Sequence, residues 1–483
     1  MSKAPSKPER IPTRAENFSD WYVEVVRKAD LADYTVVKGC MVIKPYGFGL
    51  WENLRDALDK RIKATGHENA YFPLLVPESL LLKEAEHIEG FAPECAWVTH
   101  GGGSQLEERL AIRPTSEAII CSIYANWVQS YRDLPILINQ WANVMRWEKR
   151  TRLFLRTSEF LWQEGHTVHR TEEEAQEETL KMLEVYREFL ETELAIPAVP
   201  GQKSDAEKFA GAAKTYTVEA LMQDGWALQA GTSHNLGQHF SKGFGIKFLD
   251  EDNTEKFAWQ TSWGVSTRLI GAVIMTHGDD NGLKLPPRVA PIQVIFIPIP
   301  KTGFEAQLRE RVVAMSDACK KRGIRTKEDL REQHRPGFKF TEWELKGVPL
   351  RVEMGPRDLE AGTCVMVRRD TGEKITVQQA DVPETAERLL VEIQANMLRV
   401  AREMRDVRTF QPKTWDEFKE MIEKGGFLHC PWDGTPETET AIKEATKATV
   451  RCLPFGRCEA KDGDVDIYSG KPAKGWVLYA RSY

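Results

Sequence analysis

Helical and strand-like patterns of apolar and polar positions alternate along the chain. Apolar residues three and four positions apart indicate helices, whereas a short apolar run bounded by turn residues indicates a buried strand. Helices are predicted to begin at Phe18, to run from Lys44 through Leu58 and Ile62, to span Glu172 to Glu193, to follow Arg268 and to span Phe304 to Arg322. Strands are predicted over Ala70 to Pro77, before Arg113, and over Ile292 to Ile299, Leu350 to Met354 and Cys364 to Val367.

A proline-rich linker divides the chain. After Pro286, Pro287 and Pro291, strands and helices alternate, and this β-α-β order predicts a mostly parallel sheet. We therefore expect an α/β multidomain protein. Its parts are a disordered extension rich in Pro and Lys over residues 1–15, a first domain over 16–285, a second over 286–405 and a C-terminal domain over 406–483.

Composition is that of an ordinary globular protein, with 41% hydrophobic and 29% charged residues, and 483 residues suggest about three domains. The net charge of -6 does not indicate nucleic-acid binding, so any RNA surface has to be local. Residues 301–357 hold fourteen Lys and Arg against nine Asp and Glu. This excess of positive charge fits phosphate contacts, although a solvated helix would look similar.

The cellular location is expected to be the cytoplasm. No uncharged apolar run is long enough to span a membrane, and the first ten residues do not resemble a signal peptide. The eight cysteines are scattered without a C-x-x-C pair, which favours reduced thiols over a disulfide framework.

Two arginines, an aromatic ring and two carboxylates occur at short spacing in the first domain: Arg146, Glu148, Arg156, Phe160 and Glu164. Guanidinium groups hold phosphate and carboxylate oxygens in bidentate pairs, and a planar ring offers its face to a purine. The spacing therefore favours an ATP site. The alternative is an amphipathic hairpin whose solvated basic tip carries Lys149, Arg150 and Arg152.

A second segment places Arg268 where a turn enters a long apolar helix. Gly264 and Gly271 allow a close backbone approach, and an arginine in a buried place is costly unless an anion or a partner meets it. An anion-binding role is favoured over a structural salt bridge. Two further segments are rich in polar groups: Thr115 to Glu117, where Thr115 or Ser116 is expected to cap a helix, and Leu228 to Gln238, whose alternative interpretation is a polar turn.

Five segments together, R-P-T-S-E, V-M-R-W-E, F-L-W-Q-E-G-H, G-T-S-H-N-L-G-Q and W-G-V-S-T-R, resemble in order and spacing the prolyl-tRNA synthetases of the archaeal and eukaryotic-like type. These are class II aminoacyl-tRNA synthetases. The resemblance extends from about Asn17 to Tyr483. It implies an antiparallel-sheet catalytic domain, an α/β anticodon-binding domain and an α+β C-terminal domain. It also implies a type without an editing insertion, because only Gly165 to Ala227 separate Glu164 from the next motif.

The resemblance implies a ligase that activates proline with ATP and passes it to tRNA. Arg146 and Arg268 are then the catalytic residues. Proline would be bound by Thr115, Glu117, Arg146, His234, Phe91, Trp162 and Ser266. ATP would be bound by Arg146, Glu148, Arg156, Phe160, Gln229, Thr232, Ser266 and Arg268, with Gln229 as a candidate contact for Mg²⁺.

Other parts of the resemblance concern partners and metal. Anticodon contacts are implied for Glu342, Lys346, Arg351 and Arg357. The helix from Lys44 and the strand over Ala70 to Pro77 resemble the dimer interface of this class, so we expect a homodimer.

Many relatives hold zinc in the C-terminal domain through four cysteines. Here Cys430 is a remnant of that site, Thr435 replaces a second ligand, and Asp464 to Lys471 contain no thiol. We expect the zinc to be absent. A site made of Cys430, Cys452, Cys458 and His429 is the alternative.

Two other functions remain open from the sequence. One is a class II synthetase for another small amino acid, such as threonine or serine. The other is a non-catalytic synthetase paralogue that binds tRNA or a partner. Intact arginines at 146, 156 and 268 favour catalysis, because a binding module needs no set of phosphate-binding forks.

Overall fold

A computed structural model describes residues 11–87 and 95–483. The helices of the first part are α1 Phe18–Lys28, α2 Pro45–Ala64, α3 Glu78–His87, α4 Glu117–Trp127, α5 Glu172–Thr192, α6 His239–Phe244 and α7 Arg268–His277. The strands of the first part are β1 Ala32–Tyr34, β2 Met41–Ile43, β3 Glu68–Asn69, β4 Leu75–Pro77, β5 Ala96–Gly101, β6 Ser104–Ile112, β7 Ile136–Met145, β8 Glu159–His169, β9 Val199–Gln202, β10 Lys214–Leu221, β11 Ala227–Gly237, β12 Lys247–Leu249, β13 Glu255–Phe257 and β14 Trp259–Ser266.

Two smaller units follow. The first contains β15 Val294–Pro298, α8 Glu305–Lys321, β16 Thr326–Glu328, α9 Pro336–Leu345, β17 Leu350–Met354, α10 Pro356–Ala361, β18 Thr363–Arg368, β19 Lys374–Gln378 and α11 Val382–Val407. The second contains β20 Thr409–Phe410, α12 Trp415–Lys424, β21 Phe427–Trp432, α13 Pro436–Thr446, β22 Thr449–Pro454 and β23 Gly475–Ala480.

An eleven-stranded sheet in the order β20-β21-β23-β22-β9-β10-β11-β14-β8-β7-β3 runs through the molecule. All its pairings from β21 to β7 are antiparallel, which confirms the predicted antiparallel catalytic sheet. Helix α5 starts at the Thr171 cap, whose hydroxyl accepts a hydrogen bond from Glu174 N, and buries Met182, Tyr186 and Phe189 against the sheet. This helix, which lies between Glu164 and Leu228 in the chain, therefore packs on the main hydrophobic core.

The hairpin from β7 to β8 differs from the solvated tip considered above. Its turn buries Leu153, Phe154 and Leu155 in the main hydrophobic core, while Lys149 and Arg150 remain exposed. Burial of these side chains holds the basic loop against the body of the protein.

Two predicted segments, the extension over residues 1–15 and the strand over 70–77, differ in part from the structure. Residues 1–10 lie outside the described part, but Ile11 is buried and Arg14 donates hydrogen bonds to Asp280, so the ordered chain begins before residue 16. Of the predicted strand over 70–77, only residues 75–77 form a strand, β4, and residues 70–74 connect it to β3. There the Phe72 carbonyl accepts from Arg113 Nη1 rather than from a neighbouring strand, and Pro73 has no N–H to donate.

The five-stranded sheet of the middle unit has the order β16-β15-β17-β18-β19. Strand β15 is parallel to β16 and β17, whereas β17, β18 and β19 pair antiparallel. The prediction of a mostly parallel sheet is therefore wrong. The short connections after β17 and β18 leave no room for the crossover that parallel strands need.

An ion pair joins the middle unit to the catalytic unit just after α7. Both carboxylate oxygens of Asp279 accept hydrogen bonds from Arg369, at 2.8 and 2.6 Å, and Lys284 lies 3.1 Å away. Burial alone would raise the pKa of Asp279, but Arg369 and Lys284 lower it to about 2.

Among the described residues, no helix combines the length and apolar character needed to cross a membrane.

The substitution Asp279→Asn is expected to destabilise the protein by about 2 kcal/mol at neutral pH, since each pKa unit corresponds to about 1.4 kcal/mol. Because the folded pKa is depressed, this contribution is complete above about pH 4 and is lost as the pH falls toward 2. Calorimetry at pH 7 should show a melting temperature lowered by about 2 °C. Asp280→Asn, which breaks the exposed pair with Arg14, is the matched control and should change it little. Equal shifts for both variants would contradict the assignment.

Candidate active site

A cavity of about 310 Å³ lies where β8, β14 and β11 pair side by side. Strand β8 contributes alternate residues to it, as expected for one face of a strand. Ten of the predicted site residues line this cavity: Thr115, Glu117, Arg146, Phe160, Trp162, Gln229, Thr232, His234, Ser266 and Arg268. Residues Leu228 to Gly237 of this segment are thus part of strand β11 rather than of a polar turn.

One glycine in β8 allows a close contact within the sheet that carries the cavity. Trp263 on β14 lies opposite Gly165 on β8, and a Cβ at position 165 would overlap the indole ring. Glycine at this point therefore lets a large ring lie across the neighbouring strand. The ring packs beside Tyr186 of α5, on the face of the sheet opposite to the cavity-lining side chains of β8.

Arg146 lies at the end of β7 and faces the cavity. Its Nε donates to the Pro114 carbonyl at 2.9 Å, and its guanidinium carbon lies 5.8 and 5.5 Å from the ring centres of Phe160 and Trp162. Although part of the side chain is accessible from the cavity, surrounding protein atoms lower the pKa of Arg146 by desolvation, and Glu117 and other carboxylates oppose that effect. The group is oriented for an anion.

Arg268 is the first residue of α7. Its backbone N–H donates to Ser266 Oγ at 3.2 Å, and its Nε donates to the Leu155 carbonyl at 3.3 Å. Burial lowers the pKa of Arg268, and the positive charges of Arg146 and Arg156 lower it further. A bound polyanion would relieve this repulsion.

Thr115 and Glu117 form the carboxylate end of the cavity. The Thr115 hydroxyl donates a short hydrogen bond to Glu117, and both residues are buried. Ser116 takes the cap position of α4, but its hydroxyl donates to Glu164 at 2.6 Å instead of capping the helix. The expected side-chain cap at Thr115 or Ser116 is therefore absent.

Glu164 and His166 also line the cavity. Glu164 was expected only as part of the ATP-site spacing, and His166 was not among the predicted site residues. Glu164 accepts hydrogen bonds from Gln140 at 2.7 Å and Ser116, and His166 Nε2 lies 2.9 Å from its second oxygen. Burial lowers the pKa of His166, but Glu164 outweighs burial, so the net pKa is raised. Their spacing of two residues on β8, continuing the face of Phe160 and Trp162, was the signal available in the sequence.

His234 lies on the opposite wall. Its Nδ1 is 3.0 Å from Thr215 Oγ1, and its ring centre lies 4.8 Å from that of Phe209. Burial, assisted by the charge of His166, lowers the pKa of His234 to about 3. This imidazole is therefore neutral at physiological pH.

Two of the predicted residues that the structure describes do not line the cavity. Glu148 and Arg156 pair with each other at 2.8 Å, and the Arg156 side chain is 62% exposed. Phe91 lies outside the described residues.

The four predicted anticodon residues do not share one surface site. Arg351 lines a second cavity of about 290 Å³, together with Trp343, Lys284, Arg368, Arg369 and Lys374. Lys346 instead lies 2.9 Å from Asp30 of the catalytic unit, and Glu342 pairs with Arg331. Arg357 is exposed on α10. Sequence reasoning did not single out Arg368 and Arg369, whose proximity to Arg351 depends on strand pairing.

The C-terminal cysteines are separated by packing. Cys430 and Cys452 belong to different hydrophobic clusters, and burial raises the pKa of both thiols, that of Cys452 to about 12. His429 Nε2 contacts the Arg457 carbonyl at 3.0 Å. Within residues 11–87 and 95–483, no group of three or more metal-binding side chains is clustered.

Hydroxyl groups occupy the region around Thr435. Asp433 accepts hydrogen bonds from Thr435, Thr438 and Ser469, each at 2.8 Å. The carboxylate of Asp466 accepts from the Asp433 backbone N–H at 3.2 Å. These groups satisfy one another by hydrogen bonding, without the thiolates that structural zinc usually takes.

Three family models match successive parts of the chain. The tRNA synthetase class II core domain (G, H, P, S and T) matches residues 97–277, the anticodon binding domain matches 293–389, and the C-terminal domain of prolyl-tRNA synthetase matches 415–483.

Similar curated proteins match over their whole length. The proline-tRNA ligase of Symbiobacterium thermophilum is 57% identical over 491 residues, covering 100% of both chains. That of Rubrobacter xylanophilus is 57% identical over 476 residues, covering 98% of this chain and 99% of its own. That of Bacteroides fragilis is 56% identical over 490 residues, covering 98% and 99%.

Proposed function

This chain belongs to the prolyl-tRNA synthetase family of class II aminoacyl-tRNA ligases, and from that premise we propose that it activates proline with ATP and transfers the prolyl group to the 3′ end of the proline tRNA. The observation that carries this proposal is the single cavity that Arg146, Arg268, Glu117 and Thr115 line together. It offers cationic groups for phosphates beside a carboxylate for an ammonium group.

The first step needs no general base. A carboxylate oxygen of proline attacks the α-phosphorus of ATP, and the bond to pyrophosphate breaks, which yields prolyl-adenylate and pyrophosphate. The nucleophile already carries its charge, so the protein contributes positioning and charge neutralisation. We assign Arg146 to bridge the proline carboxylate and the α-phosphate, and Arg268 to the outer phosphates.

The remaining ATP contacts are assigned to the other predicted residues. Phe160 would stack on adenine, and Gln229 and Thr232 would contact the nucleotide from β11. Arg156, whose side chain is 62% exposed and pairs with Glu148, would turn toward phosphate, and its charge already acts on Arg268. Oxygen atoms of Glu148 and Gln229 are of the type that Mg²⁺ prefers, and Mg²⁺ would neutralise phosphate charge while keeping several waters.

The proline site is assigned to the deeper groups. Glu117 would bind the secondary ammonium, with Thr115 holding its carboxylate in place. His234 is neutral and therefore does not repel that cation. Trp162 and Ser266 would shape the pocket, and Phe91 is retained as a proposed member.

In the second step a hydroxyl group of the terminal tRNA ribose attacks the prolyl carbonyl, and AMP leaves.

Of the proposed anticodon residues, Arg351 has the strongest support, since it lines a cavity with several other cations and Trp343. Glu342, Lys346 and Arg357 are retained with less support. We place the domain boundaries near residues 286 and 406, in keeping with the spans that the family models match, and count the ordered residues from Ile11 onward with the first domain.

A homodimer is proposed from exposed apolar side chains near α2 and β4. Tyr34, Val36, Val42, Tyr71 and Leu75 are all exposed, with Val36 fully so. A surface of this kind is typical of a protein contact.

A cytoplasmic location is proposed because no disulfide joins any of the eight cysteines, all of which lie in the described ranges.

Amino-acid-dependent exchange between pyrophosphate and ATP, measured over the twenty amino acids, tests the function. Proline is expected to support exchange far better than threonine or serine. Exchange with another amino acid alone would establish a different specificity, and no exchange with any amino acid would establish a non-catalytic paralogue.

The substitution Arg146→Lys should lower the rate of proline-dependent exchange by about 100-fold or more, because an ammonium group cannot make the two parallel contacts of a guanidinium fork. Arg150→Lys, on the exposed part of the same loop, is the matched control and should exchange normally. Circular dichroism checks that both variants are folded. Near-normal exchange in the folded Arg146→Lys protein would contradict its role.

The substitution Glu117→Gln should raise the proline KM by about 10- to 100-fold, since a buried ammonium would lose its counter-charge. The ATP KM should remain within about twofold, because Glu117 is assigned to the amino acid alone. Steady-state exchange with each substrate varied in turn measures both values. A parallel rise of the two would show that Glu117 supports the fold of α4 instead.

The purified protein should retain far less than one zinc per chain. The expectation rests on the dispersed cysteines and on the hydroxyl groups around Asp433, which make a poor donor set for zinc. Metal analysis by mass spectrometry, before and after incubation with zinc and dialysis, measures the content. One zinc retained per chain would overturn this expectation.

A further inference from the structure

A loop over residues 203–213, here called the pocket loop, connects β9 to β10 and forms one side of the cavity. Glu207, Lys208 and Phe209 line the cavity from this loop. The Phe209 backbone N–H donates to Thr215 Oγ1 at 3.0 Å, and the same hydroxyl contacts His234. The position of the loop therefore determines the position of one wall of the proposed proline site.

The C-terminal unit pairs with the strand that leads into this loop. Strand β22 runs antiparallel to β9, with Leu453 opposite Gln202 and Pro454 opposite Gly201. A Cβ at Gly201 would overlap the Leu453 carbonyl, so the two backbones approach closely. The pocket loop begins immediately after this contact.

The first residue of the pocket loop belongs to a buried cluster of charges. Lys203 Nζ lies 2.9 Å from Glu219 Oε1, and Arg451 of β22 holds Glu219 at 3.0 Å. Their side chains are 3%, 0% and 7% exposed for Lys203, Glu219 and Arg451. Burial opposes the charge on Glu219, but the two cations lower its pKa to about 2.

The second residue of the pocket loop is held by another C-terminal element. Ser204 Oγ donates to Glu439 Oε2 of α13 at 2.8 Å, and both residues are buried. The following residues, Asp205 and Ala206, are exposed, and Glu207 to Gly211 are partly exposed. The loop is thus tied tightly at its start and loosely over the cavity.

We propose that Glu439 and Arg451 are positioning residues for the amino-acid site: through Ser204, and through Glu219 and Lys203, the C-terminal domain holds the pocket loop against the cavity. Neither residue lines the cavity. Glu439 and Arg451 increase the fraction of molecules in which the pocket loop is in place. The apparent affinity for proline scales with that fraction. The inference rests on the proposed function.

Three variants at the Ser204 contact test the proposal. Ser204→Ala and Glu439→Ala remove the bond, whereas Glu439→Gln keeps an acceptor oxygen for the Ser204 hydroxyl. In proline-dependent exchange, the two alanine variants should raise the proline KM about tenfold and leave kcat and the ATP KM within about twofold. Glu439→Gln should restore the proline KM to near the wild-type value.

Glu423→Ala is the matched control within the C-terminal unit. Glu423 on α12 pairs with Arg481, far along the chain from the pocket loop, and its side chain is 68% exposed. This variant should leave the proline KM unchanged. If Glu439→Ala does not fold, Ser204→Ala still decides, since it removes only a hydroxyl group.

Trypsin provides a second measurement that does not depend on turnover. Cleavage after Lys208 should be faster in Ser204→Ala and Glu439→Ala than in the wild type, and saturating proline should slow it again. An unchanged proline KM with unchanged cleavage would overturn the proposal, as would a parallel rise of the proline and ATP KM values. Absence of exchange in the wild-type protein would refute the function instead, and cleavage would then test the loop contact alone.

Discussion

Antiparallel hydrogen bonding of β8 between β7 and β14 is the constraint on which the rest of the site depends. The pairing places Met145 opposite Glu159 and Ser266 opposite Trp162. Because side chains alternate across a strand, a shift of one residue would turn the lining side chains of β8 away from the cavity. Register therefore decides whether Arg146 and the rings of Phe160 and Trp162 meet.

Charge is the second constraint, because holding two arginines among protein atoms has an electrostatic cost. Arg146 and Arg268 both lie where desolvation by surrounding protein atoms disfavours their charged forms. Glu117 and Glu164 compensate part of that cost at Arg146 from the other end of the cavity, and Glu219 does so at Arg268. Such a separation of cations and carboxylates is poor for stability and suits a zwitterionic amino acid beside a polyphosphate.

The C-terminal unit is connected to the site through the sheet, although none of its described residues lines the cavity. Pairing of β22 with β9 makes the two units share one sheet, and Arg451 shares Glu219 with Lys203. At the other end of the catalytic unit, α7 carries Arg268 at its start and is followed by Asp279, which binds Arg369 of the middle unit. The structure thus connects both smaller domains to elements that line or support the cavity.

The sequence by itself determined the local features. Arg146 and Arg268 could be proposed from residue type and spacing together with the family resemblance, whereas Thr115 and Glu117 were proposed from the resemblance alone. Most strands and helices around them follow from local patterns. Only the tertiary structure decided that Glu164 holds His166, that Lys346 faces Asp30, and that Glu207 to Phe209 close the cavity. It also decided that Ile11 is buried and that the middle sheet is mixed. Most of these contacts join residues distant in the chain, and their energies depend on packing and burial that no single segment contains.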